Sequence, residues 1–398
     1  MKRILVNPNF VYIIAFIIPF VVYSLGWSTL YPELTGKLFL FYLFTFSVCL
    51  MLGILMHRVR PFHYKRVPEA SSNLWIIGFI FCLYLVEIIY SRSIPLVAVL
   101  TGTFDYETYS FGIPVVHTFL ISFNTFYCIY IFHQYISNRE RRLLGLFLLS
   151  ASPFLILMSR SSILHILLGI FFVFLFSRKS ISAGLVAKSI GSVLLVLYLF
   201  GVLGDIRTGM NDPTYIPRSS GATDEFLESK VPTQFYWSYL YIASPVANLQ
   251  NNINYTQVPE GGLKDLVLNE CLPSFLTKFI VPQEEREFYQ INPFLNVGTI
   301  YVFSFSYLRW YGIFFMFFYF LALINFYYYM LIKSDTWSVT GLAILCNVII
   351  FANFHNTVSY SVISLQLLYP LLFSAIKYLK DKRETELWSR PLSEESQR

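Results

Sequence analysis

Residues 154–176 read FLILMSRSSILHILLGIFFVFLF, two strongly apolar runs separated by Ser159-Arg160-Ser161-Ser162. Arg141 and Arg142 precede the stretch, and Arg178 and Lys179 follow it. A single helix over 143–177 would be about 50 Å long at 1.5 Å per residue, well beyond the roughly 30 Å hydrocarbon core of a bilayer. Two helices meeting at Ser159–Ser162 fit better, with both basic flanks on one side of a membrane. Ser159 or Ser161 is expected to cap the returning helix, whose first N–H groups lack partners. Arg160 then has two readings. Backbone donors, helix dipole and guanidinium together favour an anion such as phosphate, or the side chain snorkels to the interface.

The remainder of the chain is of the same kind. Of 398 residues, 56% are hydrophobic and 13% charged, where a soluble domain carries about a quarter charged residues. Mean hydropathy is +0.58. Apolar runs long enough to cross a bilayer recur at 10–27, 38–56, 74–92, 114–136, 143–158, 162–177, 185–203, 311–332, 339–354 and 359–376. They predict an all-α polytopic membrane protein of about ten transmembrane helices. The first run is long and lacks a small-residue cleavage site, so it reads as a retained span. The organisation is then a seven-span region (1–203), a large connecting loop (204–310), a three-span region (311–376) and a charged tail (377–398). Within the loop, TQFYWSYLYIASPVANLQNN predicts an aromatic helix, and the aromatic content predicts a folded layer on the membrane surface.

The net charge of +6 is topological and does not point to nucleic acid. The two termini and alternate junctions hold 19 of the 29 Lys and Arg, counting Lys188 just inside its span. The positive-inside rule therefore places both termini in the cytoplasm and 204–310 outside. Cysteines add little, because only Cys271 falls in an outer loop and an outer intrachain disulfide is excluded.

Several charged residues stand on the expected outer side. Arg207 follows span 7 in LFGVLGDIRTG, Arg218 lies in PRSSG, and Arg309 precedes span 8 in SYLRWYG. Their guanidinium forks suit phosphate oxygens; the alternative is pairing with Asp205, Asp212 or Glu228. Glu87, in LYLVEIIYSR, is an intramembrane carboxylate and so a functional candidate, or a partner of Arg92 or Arg160. His355, in FANFHNTVSYS, can exchange a proton near neutral pH, or simply hydrogen-bonds within its turn. His117 and His165 are weaker candidates. No Walker loop, H-E-x-x-H, C-x-x-C or G-x-S-x-G is present, which predicts metal-independent chemistry without a cofactor.

Taken in order, the arginine turn at 159–162, IPL…YETYSFGIP, G-D-I-R, YLYIASPVANL and NVGTIYVFSFSYLRWYG form a set. Over nearly its whole length the chain resembles the bacterial oligosaccharide repeat-unit polymerases of the Wzy type. It departs from the arginine–ten residues–glycine pattern of some members: Arg218 stands eleven residues after Arg207, and Gly298 twelve after Arg286. The resemblance implies glycosyl transfer at the outer face of the bacterial inner membrane. A growing glycan on undecaprenyl diphosphate passes to the hydroxyl of a new lipid-linked repeat unit, for O-antigen or capsule, with a chain-length regulator as a further partner. Cations that hold the departing diphosphate supply much of the stabilisation. Arg160, Arg207 and Arg218 are expected in that role, with Arg309 a fourth. His355 is the expected base, with Glu87 and Glu228 behind it, and the run from Phe235 to Tyr241 is expected to stack on sugars. An O-antigen ligase shares this chemistry. A flippase or transporter of lipid-linked glycan would show two similar halves, or charges at the midplane.

Overall fold

The computed structural model describes residues 6–59, 62–67, 73–103, 111–178, 180, 182–208, 212–280, 287–334 and 336–388. Residues 104–110 and the tail beyond 388 lie outside the described residues. Among the described residues the chain is helical, and its only extended pairing is an isolated bridge between Ser28 and Ala222. A helix stands at each of the ten apolar segments: α1 (Pro8–Tyr23), α2 (Gly36–Val59), α3 (Asn73–Ser91), α5 (Val116–Asn138), α6 (Arg141–Ile156), α7 (Arg160–Ser177), α8 (Ala183–Thr208), α14 (Val302–Ile332), α15 (Ser338–Phe351) and α16 (Ser361–Trp388). Short helices lie between them: α4 (Pro95–Leu100), α9 (Tyr215–Ser219), α10 (Asp224–Leu227), α12 (Leu263–Leu266) and α13 (Ser274–Thr277), with the 22-residue α11 (Gln234–Tyr255). Among the described residues six helices, α2, α3, α7, α8, α14 and α16, are long and apolar enough to cross a membrane; α1 and α15 are shorter and apolar. The chain is a multi-pass helical membrane protein.

Two compact units are drawn from interleaved stretches. One comprises Met1–Phe62, Arg178–Asn325 and Cys346–Ser364; the other comprises His63–Ser177, Phe326–Leu345 and Leu365–Arg398.

In the first unit α1 starts where Asn7 caps it, accepting from the Asn9 N–H at 3.0 Å, with Pro8 in the first turn. That is a sequence-encoded start, because proline needs no donor there. α11 is the helix expected in the large loop. What the contacts show is its neighbours: its first turns run antiparallel to the end of α8, where the Ser238 hydroxyl donates to the Leu197 carbonyl at 3.0 Å, and it also packs on α1. Gly201 permits this approach: a Cβ there would sit 2.0 Å from the Gln234 carbonyl oxygen. Small residues at such crossings are how helices pack closely in lipid, where apolar burial alone gives no driving force.

Polar side chains brace the interior. Asn248 is fully buried and donates to the carbonyls of Leu295 (2.6 Å) and Val297 (2.7 Å). It also accepts from the Ile291 N–H at 2.9 Å. Asn252 accepts from the Tyr289 N–H at 3.1 Å. These amides fix the irregular stretch 287–297 by satisfying backbone groups that it does not pair within itself.

α14 is two helices joined at Leu308 and Arg309, and Arg309 has φ 54° and ψ −133°. That backbone conformation is costly for a residue with a Cβ. The helix beyond the break matches the expected span at 311–332.

In the second unit α5 is the hub, contacting α3, α6 and α7. Asn124 on α5 donates to the Ser150 carbonyl of α6 at 3.0 Å and to the Tyr84 hydroxyl of α3 at 3.3 Å. Gly169 on α7 faces Ile129, so α7 and α5 meet closely there. Trp337 packs at a tilt against Tyr130 and Phe373, with ring centroids 4.3 and 5.2 Å away.

Candidate functional site

Arg160 opens α7, after a turn in which Met158 takes φ 54°. The two-helix reading of 143–177 is therefore the observed one. The capping is different: the Ser159 hydroxyl donates to the Ser162 hydroxyl at 2.8 Å rather than accepting from a backbone N–H. The Arg160 side chain is exposed.

Glu87 belongs to the same unit and is fully buried on α3. Its Oε2 meets Nδ1 of His117 at 2.8 Å. The expected arginine partner is thus replaced by a histidine that the sequence ranked low. The level of these residues follows from the contacts of Asn124. Tyr84, Asn124 and Ser150 lie at one depth; Glu87 lies three residues beyond it on α3 and His117 seven residues beyond it on α5. Residue 169 of α7 is level with 129 of α5, and the two helices run in the same direction. Arg160 is therefore level with residue 120, about 4.5 Å along the axis from His117.

The remaining expected residues fall in the other unit. Arg207 is in the last turn of α8, and its side chain lies outside the described residues. Arg218 on α9 and Glu228 at the end of α10 are both exposed. Hydrogen bonds from the Thr214 hydroxyl and amide, more than the nearby Arg218, hold the Asp212 carboxyl below its usual range. Tyr241 on α11 is half-buried, edge-on to Phe200 at 5.4 Å. Arg309 donates from Nη1 to the Gln257 carbonyl at 3.0 Å, while its Nε is buried without a partner.

His355 occupies the turn after α15. Its ring is half-buried against Phe351 and Tyr360, with Nε2 enclosed and unpartnered. Burial pulls its pKa down to about 4, so it is neutral at physiological pH. Asn356 holds this turn. It accepts from the Val358 N–H at 3.0 Å. Its Nδ2 donates at 2.8 Å both to the backbone carbonyl and to Oε2 of Glu270. Glu270 lies in a π-turn (Val267–Cys271) and is 4% exposed. Single π-turns frequently mark functional sites. Sequence reasoning did not single out Glu270 or Asn356. The one available signal was a lone acid in the apolar run LVLNECLP.

Chemically, the described residues offer two carboxylate-centred clusters, Glu87–His117 and Glu270–Asn356 beside His355, and exposed or loosely held arginines. Among them no group of three or more His, Cys, Asp or Glu is placed to hold a metal ion. No family model matches the chain. Comparison with curated proteins and with solved structures gives no match.

Proposed function

We propose that this protein is a membrane glycosyltransferase that polymerises undecaprenyl-diphosphate-linked repeat units at the outer face of a bacterial inner membrane. The observation that carries the reading is Arg160. An exposed guanidinium heads an apolar helix just after the turn at which the chain reverses, about 4.5 Å along the axis from the level of His117. In this reading Arg160 and the first N–H groups of α7 hold diphosphate oxygens. Arg207, Arg218 and Arg309 are further cations available to the same substrate class.

The reaction asks little of the protein. The acceptor hydroxyl oxygen bonds to the anomeric carbon of the growing glycan as the bond from that carbon to the diphosphate breaks. The electron pair leaves with the lipid diphosphate, and the hydroxyl proton passes to a base. Positioned cations lower the barrier by stabilising charge that develops only as the bond breaks. The expected base is His355, whose imidazole is already in the proton-accepting form.

The test is deletion of the gene in its host, followed by gel electrophoresis of the surface glycan. Collapse of a ladder to a single repeat supports polymerisation. Loss of every repeat means a ligase or flippase, and an unchanged ladder overturns the reading.

A further inference from the structure

Two imidazoles are available to take the proton, and their surroundings differ. His355 has an enclosed Nε2, and among the described residues no carboxylate is hydrogen-bonded to its ring. His117 has both features that His355 lacks. Its Nδ1 meets Glu87 Oε2 at 2.8 Å, and the side chains are 26% and 1% exposed respectively. With Nδ1 as the donor to the carboxylate, the Nε2 lone pair is the proton acceptor. His117 is also the more open member of the pair.

The ring is also held from its other sides. Phe111 meets it edge-on, with centroids 5.5 Å apart. Gly112, at φ +89°, passes so close that a Cβ would stand 2.5 Å from His117 Nδ1. The Gly112 N–H is tied to the Ser91 hydroxyl at 2.8 Å, at the end of α3. The imidazole is thus fixed by a glycine no other residue could replace without displacing it. Glu87 Oε1 is buried and has no hydrogen-bond partner among the described residues.

We propose that His117 is the catalytic base of the transfer and that Glu87 is its positioning residue. This assignment rests on the glycosyl-transfer reading and moves the base away from His355. Nε2 takes the proton of the attacking sugar hydroxyl, the glycosidic bond forms, and the diphosphate departs with its electron pair. The imidazolium, stabilised by Glu87, then returns the proton to water. Oriented carboxylate–histidine pairs work in this way, because the acid fixes the tautomer and offsets the charge that forms.

The test uses full-length protein in membranes, with lipid-linked repeat units as substrate. His117→Gln keeps a donor to Glu87, hence the packing, but cannot accept a proton; it should insert at normal abundance and lose about a hundredfold or more in rate. Free imidazole should restore turnover to His117→Gly. Glu87→Gln, which keeps an acceptor for Nδ1–H, should lower kcat roughly tenfold and leave KM in place. A wild-type ladder from His117→Gln, a His117→Gly protein of full abundance that imidazole does not rescue, or an unchanged kcat in Glu87→Gln overturns the assignment. The two readings fail separately. A gene deletion that leaves the glycan unchanged removes the transfer reading, whereas a collapsed ladder restored by His117→Gln removes only the base.

Discussion

Replacing Asn248 with alanine should release the stretch 287–297 from α11. The side chain satisfies three backbone groups: the carbonyls of Leu295 and Val297 and the N–H of Ile291. Leu295 is 6% exposed, so its carbonyl stays dry and costs about 1–3 kcal/mol when orphaned. Ile291 and Val297 are half-buried, so water recovers part of theirs. The change should make local opening about 3 kcal/mol easier, or roughly 150-fold in the open population. Limited chymotrypsin digestion in membranes reads this directly, because cleavage through a rapidly reclosing open state follows that population. New cuts are expected after Phe288, Tyr289 or Phe294, and mass spectrometry assigns them. Asn251→Ala is the control. Its bond to the Tyr289 carbonyl is exposed, so cleavage should change by less than about threefold. Equal cleavage rates in Asn248→Ala and wild type would refute the clamp.

Four further outcomes are expected. Reporter fusions at Asn138 and in the carboxyl tail should read cytoplasm and a fusion at Glu260 the outside; a cytoplasmic signal at Glu260 sinks the topology. Arg160→Lys keeps the charge but not the fork, so it should shorten glycan chains strongly at normal abundance, and Arg160→Ala should abolish them; lysine snorkels equally well, so wild-type chains in Arg160→Lys favour mere snorkelling. His355 has its pKa lowered to about 4. Below the ordinary imidazole value of about 6.5 the unfolded chain takes a proton that the folded one refuses, so stability falls from there down to about pH 4. His355→Gln should flatten that part of an acid-unfolding curve, and an unaltered curve counts against the buried neutral imidazole. Purified protein should polymerise lipid-linked repeats in excess EDTA; activity lost with chelator and restored by a divalent ion would contradict a mechanism built on arginines alone.

The membrane helices were legible because each is a long apolar run, and the break at 159–162 because a 35-residue helix cannot fit a bilayer. α11 was legible as a helix but not in its position. QFYWSYLY is amphipathic enough for a surface, and its place beside α8 depends on close approaches at Gly201 and Gly204 and on the Leu197 carbonyl. The partner of Glu87 was not legible, because His117 lies thirty residues away and approaches only when Gly112 turns the backbone. An arginine was the natural guess from charge alone. Glu270 and Asn356 went unseen for a similar reason. Their meeting depends on a π-turn and a helix-ending turn 86 residues apart, and neither has a sequence period. The expected span began at 311, just past the break at Leu308 and Arg309, but nothing in the sequence marked the helical turns that precede it.

The polar bonds of α1 set a timetable for synthesis. Asn9 Nδ2 donates to Asn325 Oδ1, 316 positions later. Asn353 Nδ2 donates to the Ala15 carbonyl, 338 positions earlier in the chain. At about 5–20 residues per second the ribosome needs roughly 16–63 s to deliver Asn325 after Asn9. For that interval the first helix to emerge carries amide groups that its finished neighbours will bury, with those neighbours still unmade. The membrane insertion machinery must therefore shelter α1, or let it wait half-inserted at the interface, until the last third of the chain arrives. A ribosome that stalls before Asn325 leaves the Asn9 amide with only its longer contacts to Asn7 and Met56, a difference by which membrane quality control can tell an abandoned chain from a finished one.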